Sequence, residues 1–176
     1  MSQTPKTTDN DKNHPWSMQI SIRYLDESVC KADLWLGNSH YGFEFDDSPF
    51  DLITRSLSDL VNEVPESNFI LRDEFQPFLW IIKQNASQKH LLEVEIRSHN
   101  PSLDPNNLSK EYQTIAQFTV ARDFFIESFL IELEKIATQL SYPRFAKNRD
   151  SGTFPWQTIA EIRQNHRRWK KTQRQG

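Results

Sequence analysis

A chain of 176 residues with a net charge of −3 is most simply a single domain. Its 12 Phe and 5 Trp supply large rings for a core, which excludes disorder of the whole chain. Cys30 is the only cysteine, which excludes a disulfide within the chain, and no apolar run approaches the ~20 residues of a membrane span.

The N-terminal quarter predicts a leader followed by three strands. Residues 1–14 are polar, contain acids and lack apolar periodicity, so we expect a disordered leader and not a secretory signal. Residues 18–25 alternate apolar and polar side chains, as a strand with one buried face does. Residues 31–46 continue this alternation on both sides of Gly37-Asn38, a pair that tolerates turn conformations, and predict a hairpin. Because the chain has a single cysteine and no secretory signal, we expect a reduced, cytoplasmic location.

The rest of the chain predicts three helices and further strands. Helical spacing of apolar residues indicates a first helix that Pro65 ends, a long helix and a final helix. Residues 114–120 are either a short strand or the lead-in to the long helix. The predicted helices cover residues 48–64, 121–140 and about 155 onward, and the predicted strands cover about 68–73, 77–83 and 91–97.

This order of elements predicts an α+β fold. We expect one antiparallel sheet of five to seven strands, with two to three helices packed on one face. Residues 15–169 would form the single domain, between the leader of residues 1–14 and a basic tail of residues 170–176.

The charge is distributed unevenly along the chain. Residues 161–176 carry six basic residues against Glu161, a net charge of +5, which leaves −8 on residues 1–160. A basic stripe with an interleaved Trp169 is typical of a nucleic-acid contact. The acidic body instead favours either a solubilising helix end or a clasp of this helix onto its own domain. The residues of the nucleic-acid alternative are Arg163, Arg167, Arg168, Lys170 and Lys171.

No motif of the chain indicates catalysis, a metal or a cofactor. The histidines lack the spacing that brings two ligands together, and the four glycines form no phosphate-binding loop. Glu93 and Glu95 share a strand face and offer an acid–base pair, although a solvated sheet face explains them as well. We therefore expect a protein without catalytic activity, metal or cofactor.

An aromatic side chain on the outer face of the hairpin is the best candidate for a binding site. Trp35 points away from Leu34 and Leu36, so it is not explained by the core pattern. A tryptophan inside a charged rim has the character of a protein-binding anchor. The predicted partner-binding residues are Trp35, Asp33, Glu44 and Asp46.

Short motifs in the chain resemble those of a group of small bacterial proteins regarded as immunity proteins of contact-dependent or polymorphic toxin systems. The similarity covers roughly residues 30–160, and one departure is that Trp156 follows the Phe-Pro pair where a tryptophan before it is expected. The motifs are Asp73-Glu74-Phe75, Phe78-Leu79-Trp80, Asp123-Phe124-Phe125 with the helix through Leu133, and Phe154-Pro155.

The resemblance implies a binding protein that neutralises a toxin by covering it. A negative surface on residues 1–160 would speed its encounter with a basic toxin. Another protein, for instance a cognate toxin, is the expected partner, with no membrane association. A regulatory module that contacts nucleic acid through the basic C-terminal helix remains the alternative.

Overall fold

The structure is a computed structural model that describes residues 18–25, 29–46, 49–72, 77–99, 112–143 and 154–173. The predicted leader of residues 1–14 lies outside these ranges. Seven strands and three helices lie within them. The strands are β1 (Met18–Tyr24), β2 (Val29–Leu36), β3 (Ser39–Asp46), β4 (Glu66–Leu71), β5 (Phe78–Gln84), β6 (Leu91–His99) and β7 (Tyr112–Ala121), and the helices are α1 (Phe50–Val61), α2 (Arg122–Leu140) and α3 (Trp156–Gln173).

The α+β class is confirmed, but the strands form two antiparallel sheets and not one. The first sheet has the order β1-β2-β3 and the second the order β4-β5-β6-β7, so every hydrogen-bonded neighbour is also the neighbour in sequence. Each sheet is therefore a meander, and α1 separates β3 from β4. Alternation of apolar and polar residues shows that a segment is a strand, but it does not show which other strand the segment pairs with. The sequence therefore predicts the strands but not their division into two sheets.

The two sheets share one aromatic core. Trp80 of β5 contacts Phe43 of the first sheet, Phe69 of its own sheet and Phe129 of α2, at centroid distances of 5.6, 5.2 and 5.8 Å. The α2 stripe predicted from the sequence is buried as expected: Phe125, Ile126, Phe129, Leu130, Leu133, Ile136, Ala137 and Leu140. Cys30 is also fully buried.

Helix α1 ends before Pro65, and Glu63, two residues beyond its last residue Val61, has a left-handed backbone. Glu63 has φ of 60°, and the amides of Glu63 and Val64 donate to the carbonyls of Leu60 and Asp59. This is the Schellman arrangement, in which glycine is usual because a side chain is disfavoured at positive φ. Glu63 carries a side chain here that accepts from Trp169 Nε1 at 3.1 Å and lies 3.3 Å from Arg122 Nη1, so the helix end is tied to α2 and α3.

Helix α2 protects the open edge of β1. The amide of Ile22 donates to Glu132 Oε2 at 2.7 Å, and Gln139 Nε2 donates to the carbonyl of Tyr24 at 3.1 Å. Unpaired backbone groups at a sheet edge would otherwise be open to pairing with another chain. The buried Glu132, which the apolar pattern of α2 does not predict, is therefore explained by this edge contact.

Candidate functional site

The outer face of the first sheet carries the partner-binding residues predicted from the sequence. The turn at Gly37-Asn38, where Gly37 has φ of 56°, pairs Trp35 with His40 and Lys31 with Glu44 across β2 and β3. The core side chains of these strands, such as Leu34 and Phe43, point to the opposite face and are buried. The outer face thus remains accessible, with side chains of His40 and Arg23 that are 51% and 57% exposed.

Asp33 lies at the centre of this face and is buried there. It is only 5% exposed, because Arg23 Nη2 contacts its Oδ2 at 2.6 Å and His40 Nε2 contacts its Oδ1 at 2.9 Å. Burial acts to raise the pKa of Asp33, but the hydrogen bonds with His40 and Arg23 outweigh it and hold the pKa below its ordinary value of 3.8. Asp33 is therefore an ionised positioning residue that fixes its two neighbours.

Trp35 and His40 form one stacked pair. Their ring centroids are 5.0 Å apart with an interplanar angle of 30°, and Trp35 is half-buried. Since His40 also contacts Asp33, the tryptophan is held in place through a chain of contacts from Arg23. Rigid aromatic side chains lose little conformational entropy on binding, which suits them as anchors for a protein partner.

The described charges of this face are balanced, although three of the four predicted partner-binding residues are acidic. Lys31 Nζ lies 3.9 Å from Glu44 Oε1, and Asp33 is paired with Arg23, so the described charged side chains balance. Glu44 is an exposed carboxylate as predicted, and the side chain of Asp46 lies outside the described residues. The surface that the structure describes here is a stacked aromatic pair in a neutral, mixed-charge rim.

The basic helix divides into two sets of side chains. Arg163 donates to both oxygens of Glu134 at 2.8 and 2.7 Å and to Glu127 at 2.5 Å, while Lys170 Nζ lies 2.9 Å from Asp123. These two cations are thus paired with α2, in agreement with the predicted clasp onto the domain. The remaining predicted cations, Arg167, Arg168 and Lys171, are exposed.

A buried histidine completes the seam between α2 and α3. His166 is 0% exposed, with Nε2 at 2.8 Å from Asp123 Oδ1 and Nδ1 at 3.4 Å from Glu127 Oε2, although neither contact has hydrogen-bond geometry. Its ring stacks on Trp169 at 5.9 Å. Burial lowers the pKa of His166, and this effect outweighs the opposite influence of Asp123 and Glu127. His166 is therefore neutral at neutral pH.

We expect acid to weaken the fold through His166. The pKa of His166 in the folded protein is lowered from 6.5. At a pH between the pKa values of the folded and unfolded states the unfolded chain binds more protons, so the free energy of unfolding falls as the pH drops below 6.5. Urea unfolding of the wild type and of His166→Asn from about pH 7.5 to about pH 5.5 measures this contribution, and the variant should show the flatter profile. A wild type that gains stability on acidification through a pairing of His166 with Asp123 and Glu127 would contradict this prediction.

Glu93 and Glu95 do not form the acid–base pair considered from the sequence. Arg97 donates to both oxygens of Glu95, at 2.9 Å each, and Asn85 Nδ2 donates to Glu93. The hydrogen bonds from Arg97 and Thr114 lower the pKa of Glu95, whereas a general acid at neutral pH needs a raised one. Within the described ranges there is also no cluster of three His, Cys, Asp or Glu side chains that could hold a metal ion.

Sequence reasoning missed His40 and Arg23, the two partners of Asp33. A signal for both existed. A two-residue turn at Gly37-Asn38 sets Trp35 opposite His40, and a short β1–β2 connection places Arg23 opposite Lys31, which is two residues from Asp33 on the same face. No comparable signal indicates the ring of His166, since a lone histidine on a polar helix gives no hint of burial. Among the described residues no helix is both long enough and apolar enough to cross a membrane.

No protein-family model matches this chain, and neither a curated protein nor a solved structure matches it significantly. Of the motifs that carry the resemblance to immunity proteins, Asp73-Glu74-Phe75 lies outside the described residues. That resemblance stays a prediction, and the geometry of the surfaces supports the functional proposals.

Proposed function

We propose that this protein has no catalytic role and binds another protein through the outer face of its first sheet. The observation that carries the proposal is the accessible stack of Trp35 on His40, fixed through the buried carboxylate of Asp33. A preorganised aromatic pair inside a mixed-charge rim has the anatomy of an interface hot spot. Glu44 and Asp46 would belong to the rim, where they influence encounter more than affinity.

The partner we propose is a bacterial toxin that acts in the cytoplasm. Occlusion requires only a rigid face that covers the active site of the toxin, and the first sheet is such a face because its other side is packed into the core. The resemblance to immunity proteins supports this choice of partner. The neutral charge of the described face implies that contact with the toxin depends on shape and on Trp35 more than on mimicry of a polyanion.

Rescue of growth tests this proposal. In cells that produce the toxic product of the gene adjacent to that of this chain, the wild type should restore growth and Trp35→Ala should fail. Loss of a hot-spot tryptophan weakens binding by about 2 kcal/mol or more, roughly thirtyfold in Kd. The matched control is Trp156→Ala, the same change on an exposed ring of α3, which should still rescue.

Two outcomes would contradict the proposal at different levels. Rescue by Trp35→Ala equal to that of the wild type would remove the sheet face as the docking site. Failure of the wild type to neutralise the adjacent gene product or to bind it would remove the toxin as the partner. Equal melting temperatures of both variants and the wild type are the control for correct folding.

The nucleic-acid alternative has weaker support. Arg163 and Lys170 are engaged by Glu134, Glu127 and Asp123 of α2, so they do not present free charges to phosphates. Only Arg167, Arg168 and Lys171 of its predicted contacts are exposed.

A further inference from the structure

A continuous furrow runs along the outer side of the seam between α2 and α3. Two adjoining grooves of about 520 and 470 Å³ form it, and both are lined by Glu134 and Ala160. The furrow extends along α3 from Trp156 to Lys171, which corresponds to about 22 Å at the rise of an α-helix. It shares no residue with the sheet face of the proposed function. Its length matches that of a helical segment of about 16 residues.

One half of the furrow is apolar and has a preformed anchor. Trp156 is 44% exposed at its rim, and its ring meets the edge of Phe154 at 5.2 Å. Phe154 is buried against Phe50 at 5.2 Å, so the exposed tryptophan is supported from the core. Ala137 and Ala160 line the same half, and their small side chains allow close approach of a partner backbone.

The other half of the furrow is basic. Arg167, Arg168 and Lys171 line it, are exposed, and form no ion pair with another described residue. Glu134 is the one carboxylate of the lining, and the bidentate contact from Arg163 neutralises it. The furrow thus presents an apolar anchor at one end and uncompensated positive charge at the other.

We propose that this furrow binds an acidic amphipathic helix of a partner protein. The apolar side chains of the helix would pack on Trp156 and the two alanines, and its carboxylates would face Arg167, Arg168 and Lys171. This is the helix-in-groove mode of recognition, with charge complementarity fixing the orientation. A nucleic acid fits the furrow less well, because its phosphates would continue past Glu134 into the apolar half, whose described lining residues include no cation.

Selection from a display library tests this site on the whole chain. Random peptides of about 16 residues, the length of a helix that spans the furrow, are selected on the wild-type protein. We expect enriched peptides to combine several acidic residues with aromatic or leucine side chains at helical spacing. Their affinity should fall at least about tenfold with Arg167→Glu and with Trp156→Ala.

Two matched variants serve as controls in the affinity measurements. Lys89→Glu makes the same charge change in the exposed β5–β6 turn, and Trp35→Ala makes the same truncation on the sheet face, so both should bind the peptides like the wild type. Retained peptide binding by Trp35→Ala also separates this site from the proposed function, since that variant should fail only in rescue from the toxin.

Three results would overturn the proposal. The first is a set of enriched peptides without acidic bias, or none at all. The second is binding that Trp156→Ala and Arg167→Glu leave unchanged. The third is tighter binding of an oligodeoxythymidine of about 20 nucleotides that Arg167→Glu abolishes, which would assign the furrow to nucleic acid.

Discussion

Replacement of Trp80 with alanine should lower the free energy of unfolding by about 3–5 kcal/mol. Trp80 is 0% exposed, and its ring joins Phe43 of the first sheet, Phe69 of the second and Phe129 of α2. Its removal leaves a cavity where the two sheets and the helix meet, and the fixed backbones around it prevent collapse. Urea unfolding monitored by circular dichroism measures the loss.

A matched variant and a milder one make this prediction specific. Trp156→Ala is the same chemical change on a ring that is 44% exposed, and it should cost less than about 1 kcal/mol. Trp80→Phe should also cost little, about 1 kcal/mol, since Trp80 Nε1 makes no hydrogen bond with a described residue and the aromatic contacts are largely kept. Equal losses for Trp80→Ala and Trp156→Ala would show that Trp80 does not join the sheets.

Replacement of Arg163 with leucine should destabilise the protein by about 2 kcal/mol. The guanidinium is 14% exposed and pairs with both Glu134 and Glu127, so its loss leaves two facing carboxylates without a cation at the α2–α3 seam. The effect is smaller than for a fully buried pair, because the two glutamates are 45% and 35% exposed and water solvates them in part. Thermal and urea unfolding both report it.

Arg167→Leu is the control for Arg163, one helical turn further along α3. Arg167 is exposed, so its loss should change the free energy of unfolding by less than about 0.5 kcal/mol. The triple variant Arg163→Leu, Glu127→Gln, Glu134→Gln should recover part of the stability, because it removes the unpaired charges as well. Absence of any recovery would mean that the packing of Arg163, and not its charge, holds the helices together.

The elements with strong periodicity were predictable, because burial of one face requires apolar side chains at a regular spacing. The alternation around Gly37-Asn38 predicted β2 and β3, and helical spacing predicted α2 almost to the residue. The outward direction of Trp35 followed from the same alternation. Such periodicity depends only on which face of an element is buried, so it is the same whichever element packs against that face.

Polar side chains were less predictable, since their environment depends on contacts distant in sequence. Asp33 lies on an outward face by alternation, yet Arg23 and His40 cover it. His166 is on a helix rich in charge, yet it is the most enclosed polar residue of the seam because Asp123 and Glu127 approach it from α2. A sequence pattern shows which side of an element a residue occupies, but not what packs against that side.

By itself, the sequence determined the α+β class, the apolar stripe of the long helix and the clustering of positive charge near the C-terminus. Only the tertiary structure decided that the strands form two sheets, that α3 turns Arg163 and Lys170 onto the acids of α2, and that Arg167, Arg168 and Lys171 remain on a furrow with Trp156. The physical reason is the separation in sequence of the residues that contact each other. Periodicity records the free energy of burying one face of a single element, whereas the pairing of elements depends on contacts between residues far apart in the chain, such as Glu127 with Arg163.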